Sequence, residues 1–229
     1  MKFLFYVIWL LILSIGPYTL IKNSSLSLLS DKSYLINFTQ RLAGLTGFTL
    51  IFMQIILGAY MTKLTEKLGS WVLKFHTTEG IFAYLFILLH PLLFVFLNFN
   101  LRGKLDPFYV FTDICLICDT RIELFYTLGR IAFWFLTIAF LAAKFREHPI
   151  LRNNWRKFHI LNYFAFIFVG LHALNVGSDT KTFPFSWFFW FAFVAVNLII
   201  IHKLVVPFFK KYLVLKKSQG KVPTSNFQR

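Results

Sequence analysis

Apolar residues run along this chain in six stretches near the length a bilayer demands: about 3–21, 38–61, 72–99, 124–143, 158–175 and 185–206. About 20 apolar residues in helical conformation cross a hydrocarbon core. Backbone groups facing lipid must satisfy their own hydrogen bonds, so each stretch is expected to be a helix. The fifth is short and is expected to extend into its flanks. No long-period repeat and no low-complexity tract interrupts the pattern. The first stretch follows Lys2 and resembles a signal peptide, but Pro17 stands directly after the small-residue site Ser14-Ile15-Gly16 and blocks cleavage, so an uncleaved span is expected. The organisation read from this pattern is a first helix with its outer loop (1–37), a membrane domain (38–206) and a basic tail (207–229).

Composition agrees with that class: 58% of the 229 residues are hydrophobic and 14% are charged, about half the charged share of a soluble domain. A net charge of +15 would suggest nucleic acid in a soluble protein, but here its placement points elsewhere. With the N-terminus inside, loop 62–74 carries Lys63, Lys67 and Lys74 against Glu66, a net +2. Loop 144–157 sets Lys144, Arg146, Arg152, Arg156 and Lys157 against Glu147, a net +4. The tail adds Lys210, Lys211, Lys216, Lys217, Lys221 and Arg229. Loop 100–123 has Arg102, Lys104 and Arg121 against Asp106, Asp113, Asp119 and Glu123, a net −1, and loop 176–184 balances Asp179 with Lys181. Positive loops face the cytoplasm, so both termini are expected inside, in a multi-pass protein of the plasma (inner) membrane. No basic helix or RNA-binding motif accompanies the charge, and no nucleic-acid partner is expected.

Four of the six histidines fall inside spans as two pairs: His76 and His90 on the third, His159 and His172 on the fifth. Ionisable or metal-binding side chains are costly within a bilayer and point to function. At about 1.5 Å per residue, the members of each pair stand roughly 20 Å apart along the axis. The third and fifth spans run in the same direction, so His76 and His159 share the inner depth and His90 and His172 the outer. Imidazole is a standard axial haem ligand, and one histidine pair at each of two depths suits two low-spin irons. Fourteen residues at about 100° each bring His90 back onto the face of His76, whereas 13 residues leave His172 roughly 140° from His159. The fifth span is therefore expected to bend, overwind or bulge, and Gly170 offers one place. The bland alternative is a set of interface histidines bonded across the bundle. Tetrahedral zinc fits poorly, because the pairs are far apart and no intramembrane carboxylate or cysteine is expected to join them.

The segments Gln40-Arg41-Leu42-Ala43-Gly44, Lys74-Phe75-His76 with Gly80, Leu89-His90-Pro91-Leu92, and Trp155-Arg156-Lys157-Phe158-His159 with Asn162-Tyr163 resemble the ferric reductase-type transmembrane domain. That superfamily includes ferric reductases, NADPH oxidases and the haem-bearing membrane subunit of the periplasmic methionine sulfoxide reductase system. The resemblance covers roughly 38–206 and implies an all-α, six-helix bundle with two stacked b-type haems (heme b). It implies His76 with His159 and His90 with His172 as the ligand pairs, and it accommodates a 13-residue gap on the second histidine helix. Di-haem ascorbate-linked cytochromes b also have six spans and four histidines, but distribute them differently.

Arg41 and Arg130 lie toward the outer ends of their spans, where a guanidinium suits a haem propionate or snorkels to headgroups. In similar proteins an arginine at the position of Arg41 lies near the outer haem. Lys74, Arg156 and Lys157 flank the inner histidines and read first as topology determinants. Gly80 and Gly170 either admit a porphyrin to the backbone or serve helix packing. The 31 Phe residues line any pocket by abundance. Cys115 and Cys118 form a Cys-x-x-Cys without a thioredoxin-like setting, read as a local disulfide or idle thiols rather than a redox dithiol. His148 reads as a surface residue and His202 as interfacial.

No Gly-rich nucleotide fingerprint occurs, and 23 residues follow the sixth span, whereas ferric reductases and NADPH oxidases usually continue into flavin and nicotinamide domains. No FAD or NAD(P) site is expected in this chain. A separate flavoprotein reductase or a membrane quinol would feed the inner haem, with quinone a further candidate ligand, and electrons would leave to ferric iron, oxygen or a periplasmic protein. The expected activity is that of an oxidoreductase component with no catalytic residue of its own. The rival expectation is a non-redox transporter or assembly subunit that keeps the fold.

Overall fold

The computed structural model describes residues 1–115 and 117–209. The basic tail expected from the sequence lies beyond residue 209, outside the described residues except for its first three positions.

The described residues hold helices and turns, with no strand among them. Helix α1 (Lys2–Lys22) leads through a 3₁₀ turn (Leu26–Ser30) into α2 (Lys32–Ala59), followed by the short α3 (Met61–Leu68) and by α4 (Trp71–Arg102). A small helix α5 (Pro107–Phe111) precedes α6 (Arg121–Lys144). Helices α7 (Trp155–His159) and α8 (Leu161–Val176) form one interrupted rod, and α9 (Phe185–Ile200) continues through a π-helical turn (Ile201–Val205). Six helical segments are long and apolar enough to cross a membrane: α1, α2, α4, α6, the α7–α8 rod, and α9 with its extension to Phe209. The protein is a multi-pass, all-helical membrane protein.

Helix ends follow local chemistry. Asp31 accepts a hydrogen bond from the Tyr34 amide at 2.7 Å, so α2 begins six residues ahead of its apolar stretch. Thr120 caps α6 through the Glu123 amide, and Asp106 with Pro107 starts α5. Helix α4 stops at Gly103, whose φ of 69° is the left-handed conformation a C-terminal glycine supplies without Cβ strain.

Helix α2 is the central element, packed chiefly on α4 and touching α1, α8 and α9, while α6 packs chiefly on α8. The aromatic core lies where α2, α8 and α9 meet: Phe48 stacks on Phe189 with ring centres 5.2 Å apart and also packs on Phe166. On the outside of the bundle the pattern inverts, with large apolar side chains such as Trp187 (76% exposed) and Phe191 (65%) pointing outward. Lipid, as apolar as leucine itself, is the solvent that tolerates such a surface. Two antiparallel pairs, α2 with α4 and α6 with α8, thus carry the four intramembrane histidines on α4 and the α7–α8 rod.

Candidate functional site

His90 from α4 and His172 from α8 face one another with ring centres 6.4 Å apart and ring planes at 84°. Each ring is fixed from behind in the same way. The Nδ1 of His90 lies 2.9 Å from the backbone oxygen of Gln40 on α2, and the Nδ1 of His172 lies 2.9 Å from that of Phe125 on α6. A helical carbonyl keeps a second lone pair, so each can accept the imidazole N–H without breaking its helix. That bond assigns the proton to Nδ1 and leaves the Nε2 lone pair of each ring for a ligand. The Gln40 side-chain amide stands 3.3 Å from the Nε2 of His90 and caps that lone pair here.

Two glycines allow this approach. Gly44 lies one turn beyond Gln40, and a Cβ there would be 2.8 Å from the Nδ1 of His90. Gly129 lies one turn beyond Phe125, and a Cβ there would also be 2.8 Å from the Nδ1 of His172. Real Cβ contacts do not reach so close. The device, a carbonyl at one position and a glycine four later, is thus built once on α2 and again on α6. The sequence reading contains Gly44 only as part of a motif and misses Gly129; a glycine immediately before the buried Arg130 is the one available signal.

The histidines line a cavity of about 430 Å³, in the range of small-molecule and cofactor sites. Arg41 and Arg130 line it too. Arg41 donates through Nε to Asp179 at 2.8 Å and through a terminal nitrogen to its other carboxylate oxygen, a two-pronged ion pair. Sequence charge counting had balanced Asp179 against its neighbour Lys181; folding gives it to Arg41 instead. Arg130, 6% exposed, lies 4.9 Å from the ring centre of Tyr109, 3.6 Å from Glu123 and 3.4 Å from the Thr127 hydroxyl. Each arginine therefore already has a protein anion. Arg41→Ala would leave the nearly buried Asp179 carboxylate unpaired, and loss of one partner of such a pair costs about 3–5 kcal/mol. Thermal unfolding in detergent should show it, while Arg41→Ala with Asp179→Ala should recover much of the loss. If Arg41 serves only a bound anion, the double variant will be no better than the single.

The inner pair is held more loosely. His76 on α4 and His159 at the end of α7 line a second cavity of about 1250 Å³ with Gln54, Tyr84, Arg156 and Tyr163. His159 Nδ1 is 3.5 Å from the Ala139 oxygen and 3.3 Å from the Asn162 amide. His76 Nδ1 is buried without a hydrogen-bond partner. Gly58 approaches His76 only to 3.7 Å from its would-be Cβ, an ordinary contact. Gly80 lines this cavity.

The fifth span carries the expected irregularity, but two expectations need correction. The fifth span is interrupted at Ile160, between α7 and α8, where the Tyr163 amide bonds the Ile160 oxygen three residues back. Gly170 is not the bend; it lies against α9, where a Cβ would be 2.5 Å from the Phe193 ring, so its role is packing. An intramembrane carboxylate does exist: Glu79, 3% exposed, one turn from His76. It accepts hydrogen bonds from the Trp9 indole and the Gln54 amide, both at 2.7 Å, and the same Gln54 amide nitrogen also donates to the His76 oxygen. Glu79 is spoken for by donors, and among the described residues no group of three or more His, Cys, Asp or Glu side chains gathers as a metal cage.

No known family model, characterised protein or solved structure matches the chain. The likeness to ferric reductase-type domains therefore rests on its motifs alone, and the site must be read from its chemistry. That chemistry is selective. Two neutral imidazoles facing across a cavity suit a flat metal cofactor that brings its own equatorial ligands, and they are too few for a bare ion that needs four protein donors.

Elsewhere, Cys115 and Cys118 are joined in a disulfide, one of the two sequence-level alternatives. His148 and His202 are exposed.

Proposed function

We propose that this chain conducts electrons across a bilayer through two b-type haems, one held by His76 and His159 and the other by His90 and His172. The observation that carries the reading is the outer pair, with its rings 6.4 Å apart and each Nδ1 tied to a carbonyl of the neighbouring helix. His90 and His172 would hold the outer haem iron from the two sides of the cavity they line. Bound haem iron supplies one-electron chemistry at each depth. The chain's own residues do the rest. The Gln40 and Phe125 carbonyls hold the outer imidazoles in one tautomer, Gly44 and Gly129 give them room, and the Gln40 amide must leave Nε2 of His90 for that nitrogen to ligate. At the inner depth, Asn162 orients His159, and Lys144 and Arg156 line the cavity, where they would offer counter-charges to propionates.

The direction proposed is inward-facing donor to outward-facing acceptor, with a flavoprotein or a quinol as donor. No nucleotide fingerprint occurs among the 229 residues, so NADPH alone should not reduce the purified protein. An acidic flavoprotein would be steered by the +2 and +4 loops, and its reduction rate should fall with salt, since exposed charges are screened beyond about 8–10 Å at 0.1–0.15 M. A quinol arrives through lipid and should show little salt dependence. Stopped-flow haem reduction across a salt series separates the two, and rapid reduction by NADPH with nothing else present contradicts both.

A second reading, a non-redox membrane subunit, is favoured by one feature: the Gln40 amide and the Arg41–Asp179 pair let the outer polar groups satisfy one another. Reduced-minus-oxidised absorption spectra decide between the readings.

A further inference from the structure

Val110 and Phe111 of α5 line the outer cavity beside His90 and His172, and the chain runs on from α5 through Cys115 and Cys118 to α6. In this loop the Cys115–Cys118 disulfide is anchored to the same machinery. The Cys115 amide donates to the Thr127 hydroxyl at 3.3 Å, and the Cys115 Sγ lies 3.2 Å from that hydroxyl. Arg130, itself a cavity-lining residue, donates to the same Thr127 oxygen at 3.4 Å. An unbroken run of contacts thus joins a disulfide sulfur to the wall of the outer cavity. On the other side of the bridge, Ile117, between the two cysteines, is 97% exposed.

A purely structural bridge explains this poorly. The entropic stabilisation from a disulfide grows with the loop it closes, and this one links residues only three apart. The contact of one sulfur with the Thr127 hydroxyl, which also accepts from the cavity-lining Arg130, and the exposed apolar side chain between the two cysteines together suit exchange chemistry. A Cys115 thiolate would be stabilised by the Thr127 hydroxyl and the nearby Arg130 charge.

We propose that Cys115–Cys118 is a redox-active disulfide that accepts the electrons leaving the outer cavity and passes them to a disulfide in an exported polypeptide. The source of the electrons rests on the haem reading above. The bridge takes two electrons, delivered singly, and two protons from the outer aqueous phase; its S–S bond breaks and two thiols form. One thiolate then attacks the partner's S–S bond to give a mixed disulfide. The second thiolate resolves it, re-forming Cys115–Cys118 and releasing the partner with two thiols. Ile117 offers the apolar contact an extended partner segment would use.

The test uses the full-length protein in detergent under argon, with haem content measured first by absorbance. Dithionite reduces the haems, and a maleimide reagent then counts free thiols by mass. The expected result is about two labelled thiols per chain after haem reduction and about none before, with His90→Ala remaining near none. Haems that reduce while the bridge stays intact overturn the proposal and leave the haem reading standing. Equal thiol yield in His90→Ala shows direct chemical reduction and also overturns it. Absence of haem from the folded protein overturns both. A second measurement does not depend on that variant folding: ferrous wild-type protein is mixed with a disulfide-bonded peptide. Haem reoxidation is expected in the wild type and lost in Cys115→Ser/Cys118→Ser, and equal rates in the two overturn the proposal.

Discussion

Replacing His90 with alanine should remove one of two haem components from a redox titration and leave the other in place. The two cavities are lined by separate histidine pairs, and the inner pair draws its support from Gln54, Ala139 and Asn162, none of which touches His90. Haem content should fall from about two per chain to about one, and the surviving component should keep its midpoint. His172→Ala should do the same, because a bis-imidazole site fails when either ring is gone. Loss of both components together with the folded protein would instead make these histidines structural, and the assignment would lose its support.

Gly44→Ala should reproduce the loss caused by His90→Ala although it removes no ligand. The new methyl group would sit 2.8 Å from Nδ1 and 2.9 Å from Cε1 of His90. Either the ring leaves its Gln40 bond or α2 and α4 move apart, and overpacking of this kind costs about 1–3 kcal/mol. Gly129→Ala should act likewise on His172. The informative control is Gly58→Ala on the same helix as Gly44: its Cβ would meet His76 at 3.7 Å, so the inner component should survive. Redox titration of the three variants reads the pattern directly. A Gly44→Ala protein with full outer-haem absorbance would show that the close approach is not needed for ligation.

How much of this was legible in the sequence differs by feature. All six spans were, since length and apolarity are local properties of the chain, and the helix ends differ from the sequence limits where caps such as Asp31 extend a helix beyond its apolar run. The histidine pairing by depth was legible because axial rise is uniform along a helix. Their angular relation was only half legible: a 13-residue interval signalled an irregularity, but Ile160 carries no marker that distinguishes it from Gly170, the residue a sequence reader would choose. Partnerships between distant segments were invisible. Arg41 and Asp179 are 138 positions apart, and no local pattern predicts that they meet. Glu79 gives no signal inside its strongly apolar run, because its partners, Trp9 and Gln54, come from two other helices. The doubled carbonyl-and-glycine device is invisible in the sequence for a related reason. Its two copies share a glycine and a backbone oxygen, and a backbone oxygen leaves no trace in sequence.

The measurement that bears most directly on the account is a pyridine haemochrome assay on purified, folded protein, referenced to protein concentration from amino-acid analysis. Four imidazoles, two lining each of two cavities, predict about two b-type haems per chain, with low-spin spectra throughout. Less than one haem per folded chain would contradict the two-haem electron path.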